Sequence, residues 1–278
     1  FTRRSYGYTY GFVDSHCRVD ELVGCLNRDK AFHTDCFSLP VNVDGFIAAF
    51  TNPRTFAPKF PDYELLKFAL SQDGVWVTLG CPPHKAACFN DAHERSLEEV
   101  ASSTARVVAL GPCGLDHTID TLDGIQSFVF EAQVRVAAKL NIPLIVECRE
   151  AEDDVIAILQ KHLPKTQKIH LHGFTGDTIL ANRWLSHYPN VYFGLSPAIG
   201  DVSSSRSVKE MVASIPLNRI LLESGASQTV PEDFRKFVST AHFGFALFAA
   251  KAVAELRRLS TDAVLKACRD NTRQMYGI

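Results

Sequence analysis

The chain has 278 residues, of which 46% are apolar and 22% are charged, and its formal net charge is −2. This composition is ordinary for a folded domain, and it excludes a disordered tail, a coiled coil and a collagen-like repeat. A dedicated nucleic-acid binder is usually basic overall, so any nucleic-acid contact is expected to be local and weak. Because the first residue is Phe1 and not Met, we expect residues 1–278 to be one domain of a longer protein.

Eight short apolar segments recur along the chain, with amphipathic stretches between them. They cover residues 11–14, 44–50, 75–80, 106–111, 143–148, 168–173, 191–196 and 219–223. Segments that are apolar throughout are typical of strands covered on both faces, as in a parallel sheet. Eight strand–helix units in a chain of this length predict an α/β fold, the (β/α)8 TIM barrel. An open doubly wound sheet is the alternative, although no G-x-G-x-x-G motif follows the first segment.

Helical periodicity predicts the helices between these strands, most clearly at residues 123–141, where apolar residues form one stripe and Pro143 follows. Further helices are predicted at residues 64–70, 94–101, 153–163, 178–187, 206–215, 241–259 and 261–269. Several aromatic residues lie on these helices, and we expect them to be buried against the barrel: Phe128, Phe130, Phe243, Phe245 and Phe248.

The cysteines and the absence of targeting segments indicate an intracellular protein, nuclear or cytoplasmic. None of the eight cysteines forms a C-x-x-C pair, and several lie in apolar runs, so we expect reduced, buried thiols. No apolar run approaches the roughly 18 residues of a membrane span, and no signal peptide precedes the first strand. We therefore expect no membrane contact.

Polar motifs follow six of the predicted strands, at the end of the barrel where catalytic groups lie. They cover residues 12–18, 80–84, 111–116, 147–151, 172–176 and 223–225. In this order they are similar to F-x-D-x-H-x-H, G-x-H-P-H, G-E-x-G-L-D, H-C-R-E-A, H-C-F-[ST]-G and E-[ST]-D. On these motifs the chain resembles the TatD-type metal-dependent deoxyribonucleases of the amidohydrolase-like barrels, and among them the branch of TatD domain-containing protein 2.

The resemblance implies a two-metal hydrolytic site with six ligand positions, and this chain departs from it at four of them. His16 and His172 match the family's ligands, whereas Pro82 replaces the active-site His of the G-x-H-P-H turn. The four departures, from His, Glu, His and Asp in that order, are Arg18, Pro112, Glu147 and Gly225. Proline and glycine offer no side-chain ligand, and the permanent cation of Arg18 repels a metal. We therefore expect a degenerate metal site that binds no cofactor and has no catalytic residues.

These losses favour a catalytically inactive barrel, a pseudoenzyme that binds a protein partner as an interaction or scaffold module. One alternative is a noncatalytic module that binds nucleic acid or phosphate. The other is a residual metal-dependent nuclease or phosphoesterase with an altered site for one zinc, manganese or magnesium ion. The candidate ligands of that single ion are His16, Glu147 and His172, with His170 as a further candidate.

Charged residues at the same end of the barrel predict a pocket that could hold a phosphate group. The candidates are Arg18, His84, Asp116 and Arg149. Since Arg18 and Glu147 replace two histidines of one site, we expect them to form a bidentate ion pair, the alternative being that both face water. The basic and aromatic residues 2–10 could add a nucleic-acid contact, the alternative being a terminus without such a role.

Overall fold

A computed structural model describes residues 7–26, 43–120, 124–201, 203–227, 230, 236 and 241–278. Eight parallel strands pair in chain order. They are β1 (Phe12–Arg18), β2 (Val43–Phe50), β3 (Val75–Leu79), β4 (Val107–Asp116), β5 (Leu144–Arg149), β6 (Ile169–Leu171), β7 (Val191–Leu195) and β8 (Ile220–Leu222). The helices are α1 (Val19–Leu26), α2 (Tyr63–Ser71), α3 (Asp91–Ser103), α4 (Ile125–Leu140), α5 (Glu152–His162), α6 (Thr178–His187), α7 (Arg206–Ser214), α8 (Ala246–Arg257) and α9 (Thr261–Tyr276).

The first and last strands meet, so the sheet curves into a nearly closed barrel. The hydroxyl of Ser15 in β1 donates a hydrogen bond to the carbonyl oxygen of Leu222 in β8 at 2.8 Å. Past the end of β8, the carbonyl oxygen of Ala226 accepts from the amide of Arg18 at 3.1 Å. The predicted (β/α)8 barrel is thereby confirmed, and the open doubly wound sheet is wrong.

Two apolar layers stabilise the barrel, one inside the ring of strands and one between the strands and the helices. The inner layer includes Val13, Ile47, Ile145 and Tyr192, and the last turn of α9 adds Tyr276 to it. The outer layer is larger and buries the apolar faces of the helices. Within the described residues, no helix combines the length and the apolar character that a bilayer span requires.

Strands β1 and β4 extend further than predicted, which places polar residues inside strands instead of in the loops after them. The pairing register shifts between Asp14 and Cys17 in β1, and between Leu110 and Cys113 in β4. Such irregularities let a strand continue past residues that do not fit a regular ladder, among them Pro112, which lacks an amide hydrogen. As a result, the motif of residues 14–18 is held by the barrel wall itself.

Helix α4 buries Val129, Ala132 and Val136 of the predicted apolar stripe, but the expectation that Phe128 is buried is wrong. Phe128 is 57% exposed, whereas Gln126 and Gln133 are buried. The amide of Gln133 bonds to both backbone groups of Cys81, accepting from its nitrogen at 2.7 Å and donating to its oxygen at 3.0 Å. Such bonds remove the cost of burying a polar side chain, so the buried face of α4 includes Gln133 as well as apolar residues. Three of the remaining aromatic residues are buried as expected, and Phe248 is partly buried.

Most of the described cysteines are buried, as expected. Cys17, Cys81, Cys113 and Cys268 are buried, whereas Cys148 is half-buried and Cys88 is exposed. Burial raises the pKa of Cys81 to about 12, so this thiol stays protonated and unreactive. Residues 2–6, Cys36 and the side chain of Cys25 lie outside the described residues.

Candidate functional site

A cavity of about 440 Å³ opens at the end of the barrel where the strands finish, and we call it the mouth cavity. The ionisable side chains that line it are Arg18, His84, Glu147, Arg149, His172 and Glu223. The barrel therefore brings together three of the four residues predicted for a phosphate pocket. The fourth, Asp116, is not among the lining residues, and its carboxylate accepts a hydrogen bond from the amide of Thr118 at 2.9 Å in the turn after β4.

Arg18 is buried at the end of β1, with only 6% of its surface exposed. Its Nη2 lies 3.2 Å from Oε2 of Glu147 and 3.3 Å from Nε2 of His172. Its Nη1 lies 3.7 Å from Oε2 of Glu21. The predicted pair of Arg18 and Glu147 is thus confirmed, although one nitrogen makes the contact and the geometry is not bidentate. The alternative that both side chains face water is wrong, since both residues are buried.

The contacts of His172 determine which of its ring nitrogens holds the hydrogen. A guanidinium can only donate, so Nε2 of His172 accepts from Arg18. The hydrogen is therefore on Nδ1, which donates to Oε1 of Glu223 at 2.9 Å. Both ring nitrogens of His172 are thus engaged by other side chains.

Glu223, directly after β8, holds several of these groups in place, and sequence reasoning gave it no role. Its Oε1 contacts His172 and also lies 2.7 Å from Nε2 of His170, while its Oε2 accepts from the amide of Gly173 at 3.0 Å. Burial alone would raise the pKa of this carboxyl, but the contacts with His172 and His170 hold it well below its usual range. The only sequence signal was its position at the start of the motif at residues 223–225.

Contacts continue from Glu223 through the barrel to helix α9. Nδ1 of His170 lies 2.6 Å from the hydroxyl oxygen of Tyr276, on the side of the ring opposite Glu223. The whole series, which we call the buried polar chain, consists of Tyr276, His170, Glu223, His172, Arg18 and Glu147. No spacing in the sequence links Tyr276 to the strand ends, so only the fold reveals this connection.

Two further buried polar residues of β1, Asp14 and His16, have atoms without a hydrogen-bond partner among the described residues. These atoms are both ring nitrogens of His16 and Oδ2 of Asp14. The His16 ring lies beside that of His172, with 4.0 Å between the ring centroids. Burial raises the pKa of Asp14 well above its usual range, and burial together with the neighbouring His172 lowers that of His16 well below its own. The His16 ring is therefore neutral in the folded protein near neutral pH.

We expect the stability cost of His16→Gln to shrink as the pH falls from 7.5 to 5.5. The folded protein keeps His16 neutral, whereas the unfolded chain takes up a proton below a pH of about 6.5. Wild type loses up to about 1.4 kcal/mol of stability per pH unit on this account, and the variant does not. Urea unfolding of both proteins at pH 7.5, 6.5 and 5.5 measures the difference. A cost that stays constant over this range would contradict the assignment.

The side chains present do not fit a metal centre while Arg18 remains in place. Of the candidates for a single metal site, Glu147 and His172 both contact Arg18, and His170 lies between Tyr276 and Glu223. Among the described residues, both ring nitrogens of His16 and Nε2 of His170 have no hydrogen-bond partner, although the latter lies 2.7 Å from Oε1 of Glu223. Across the part of the chain that the structure describes, no three His, Cys, Asp or Glu side chains are grouped in a way that could hold a metal ion. Pro112 and Gly225 offer no ligand atom, as the sequence indicated.

Arg149, at the end of β5, differs from Arg18 because its hydrogen bonds go to backbone carbonyl groups. Its Nη1 donates to the carbonyl oxygen of Cys148 at 3.1 Å, and both terminal nitrogens lie 3.5 Å from that of His172. Among the described residues, no carboxylate neutralises its positive charge. His84, exposed at the rim, completes the cavity, and partial desolvation lowers its pKa, against the opposite pull of Glu147.

Solved structures confirm the fold. The TatD homologue YJJV from Escherichia coli superposes with a TM-score of 0.79 over 96% of this chain and 98% of its own, at 23% identity. A hydrolase of the TatD family from Entamoeba histolytica superposes with a TM-score of 0.75 over 97% and 99% of the two chains, at 14% identity. At such identities the likeness concerns the fold alone.

Curated relatives share more sequence with the chain. The human protein "3'-5' RNA nuclease TATDN2" is 34% identical over 275 residues, which cover 96% of this chain and 35% of that protein. The "3'-5' ssDNA/RNA exonuclease TatD" of Erwinia tasmaniensis is 34% identical over 59% of this chain and 62% of its own length. Its namesake in Escherichia coli is 30% identical over 69% and 70% of the two chains. The chain thus spans about a third of the human relative and under two thirds of the Erwinia relative.

These names contradict the expectation of a catalytically inactive barrel that is not an enzyme and serves as an interaction or scaffold module. The relatives are named as nucleases, and none of the names indicates an inactive branch. The loss of family ligands shows that the two-metal arrangement is absent from the described residues. It does not show that the remaining side chains lack activity, and the expectation of inactivity was therefore wrong.

The sequence profile of the family described as "TatD related DNase" matches residues 13–277. The match includes every strand-end motif and the strands that bring the motifs together, apart from the first residue of β1. The chain belongs to the TatD-related DNase family.

Proposed function

We propose that this chain is a nuclease that removes nucleotides from the 3′ end of single-stranded RNA or DNA. Membership of the TatD-related DNase family and the names of the curated relatives support this activity and its polarity. The observation that carries the proposal is Arg149, a guanidinium in the mouth cavity that bonds to backbone carbonyl groups and contacts no carboxylate of the described residues.

Arg149 is suited to hold the phosphate group of the scissile bond. A guanidinium presents five N–H donors in a plane, and two of them can bond to two phosphate oxygens at once. The mouth cavity, at about 440 Å³, has room for a nucleotide-sized group beside this side chain. Gly173 helps to keep the guanidinium of Arg149 accessible to a phosphate group, because a Cβ at residue 173 would lie 3.1 Å from Nη2 of Arg149.

His84 is the group best placed to accept a proton from the attacking water. It lines the same cavity and is exposed at its rim. Because desolvation and the nearby Arg18 lower its pKa, the ring is neutral and can act as a base near neutral pH. The position of His84 at the rim of the mouth cavity is also consistent with a single-stranded substrate whose free 3′ end enters the cavity.

The net charge of −2 limits how strongly the chain can hold nucleic acid. The logarithm of the affinity for nucleic acid falls linearly with the logarithm of the salt concentration, and the slope is proportional to the number of phosphates that the protein contacts. With the cationic contacts concentrated in the mouth cavity, we expect weak binding with a shallow salt dependence. Such binding suits an enzyme that acts at one chain end and then releases the product.

We expect Arg149→Ala to lower the rate of 3′-end shortening at least tenfold, since it removes the proposed phosphate contact. The measurement uses 5′-labelled single-stranded RNA and DNA, with magnesium, manganese or zinc in separate reactions and with a chelator in a further one. Arg149→Lys, which keeps the charge, should retain part of the activity. Arg95→Ala is the matched control, because Arg95 is exposed on α3 and does not line the cavity. Binding without cleavage under all these conditions would contradict the proposal.

A further inference from the structure

We propose that the guanidinium of Arg18 is the resident cation of the mouth cavity, which excludes a divalent metal ion and itself binds the phosphate group of the substrate. The exclusion of metal rests on the contacts of Arg18 alone. The phosphate part also rests on the proposed nuclease function, so the two parts are tested separately.

Arg18 is surrounded by the kinds of groups that surround a bound metal cation. Oε2 of Glu147 lies 3.2 Å from its Nη2, and Oε2 of Glu21 lies 3.7 Å from its Nη1. The lone pair of His172 Nε2 faces the same Nη2 at 3.3 Å. Two carboxylates and one imidazole thus converge on one positive charge that is only 6% exposed. Groups of these types bind zinc and similar ions when no side-chain cation lies between them.

Arg18 makes these carboxylate and imidazole groups unavailable to a metal ion. A donor atom cannot accept from a guanidinium and bind a metal with the same lone pair, and a second positive ion a few ångströms away would be repelled strongly in a buried site. His16 has no hydrogen-bond partner for either ring nitrogen among the described residues, and its ring lies 4.0 Å from that of His172. One imidazole does not make a metal site, so Arg18 decides whether the others can join it.

Arg18 and Arg149 both line the mouth cavity, so both guanidiniums can face the same ligand. Arg18 contacts Glu147 through one nitrogen, which leaves further N–H donors of the same plane for another acceptor. A phosphate group between the two guanidiniums would receive two positive charges, the same charge that one divalent ion supplies. The site would then bind phosphate with side chains alone.

The metal part is tested by zinc titration calorimetry at pH 7.5 on wild type, Arg18→His and Arg18→Lys. We expect Arg18→His to gain one site that binds zinc at least tenfold more tightly than any site in wild type or in Arg18→Lys. The gain should disappear when His172→Ala is added, which excludes binding at surface residues. Absence of the gain in a folded Arg18→His protein, checked by circular dichroism, would overturn the inference.

Wild type provides a second measurement that does not depend on the folding of Arg18→His. We expect the zinc isotherms of wild type and His172→Ala to be the same, because His172 is engaged by Arg18 in wild type. A tight wild-type site that is lost in His172→Ala would overturn the inference.

The phosphate part is tested by the binding of a 3′-end dinucleotide to wild type, Arg18→Lys and Arg18→Ala in the presence of chelator. We expect Arg18→Ala to weaken binding at least tenfold and Arg18→Lys to weaken it less. Equal binding by all three proteins would overturn this part. None of these measurements requires cleavage, so a failed nuclease assay alone leaves them interpretable.

Discussion

Replacement of Glu223 by glutamine is expected to lower the free energy of unfolding by about 3 kcal/mol. The carboxylate accepts hydrogen bonds from Nδ1 of His172 and from the amide of Gly173, and it is completely buried. Glutamine has nearly the same shape, but it replaces one acceptor oxygen by a donor, which must then face another donor. Hydrogen bonds to a charged group contribute about 1.5–3 kcal/mol each, and an unsatisfied buried donor adds a similar cost.

Urea unfolding at pH 7.5 measures this effect, with Glu210→Gln as the matched control. Glu210 lies on the exposed face of α7, where it pairs with Arg206 one helical turn earlier. Exposed pairs of this kind contribute about 0.3–0.5 kcal/mol, so the control should unfold almost as wild type does. A loss below about 1 kcal/mol for Glu223→Gln would contradict the central role that we assign to this carboxylate.

Gly194→Ala is expected to destabilise the barrel by about 3 kcal/mol or more, although it adds a single methyl group. Gly194 lies in β7, and a Cβ there would lie 2.0 Å from Oε1 of Glu223 and 2.3 Å from Nε2 of His170. Both atoms belong to the buried polar chain, and their side chains are completely buried, with no room to move aside. The methyl group must therefore break the contact of Glu223 with His170 or distort the strand.

Gly24→Ala is the control for this substitution. Gly24 lies in helix α1, and no atom of the described residues beyond its chain neighbours and its own helix lies within 4 Å of the position that its Cβ would occupy. Alanine inside a helix is favoured over glycine by up to about 1 kcal/mol, so this variant should be slightly more stable than wild type. Thermal unfolding of both variants gives the comparison. Equal stability of the two would show that the space around Gly194 is not essential.

The contrast between the motifs and the mouth cavity explains why the function predicted from the sequence was wrong. The motifs at residues 111–116 and 223–225 lack the family's ligands, which was evident from the sequence. The inference from lost ligands to lost activity assumed that the ligands were the only active groups of the site. The fold places Arg149 and His84 on the same cavity, and their positions, not the motif letters, support the proposed chemistry.

The sequence by itself determined the barrel, the family and most of the residues at its mouth. Apolar strands and amphipathic helices can be recognised from local sequence, because the spacing of apolar residues in one segment reflects which of its faces is buried. The motifs gave Arg18, Glu147 and His172 as neighbours, since parallel strands carry their carboxyl ends to one side of a barrel. For the same reason, the ion pair of Arg18 and Glu147 could be predicted from two substitutions.

Only the tertiary structure decided how these residues are connected. Tyr276 and His170 are 106 positions apart, so no local pattern records their contact. Glu223 follows β8 and fits beside Gly194 of β7 because that glycine has no side chain. This fit depends on distances of a few ångströms between adjacent strands. The burial of Gln126 and Gln133 on α4 likewise depends on hydrogen bonds to distant backbone groups, which an apolar pattern does not detect. Distances and hydrogen-bond partners arise only when the barrel closes, and they determine which charges at its mouth are paired.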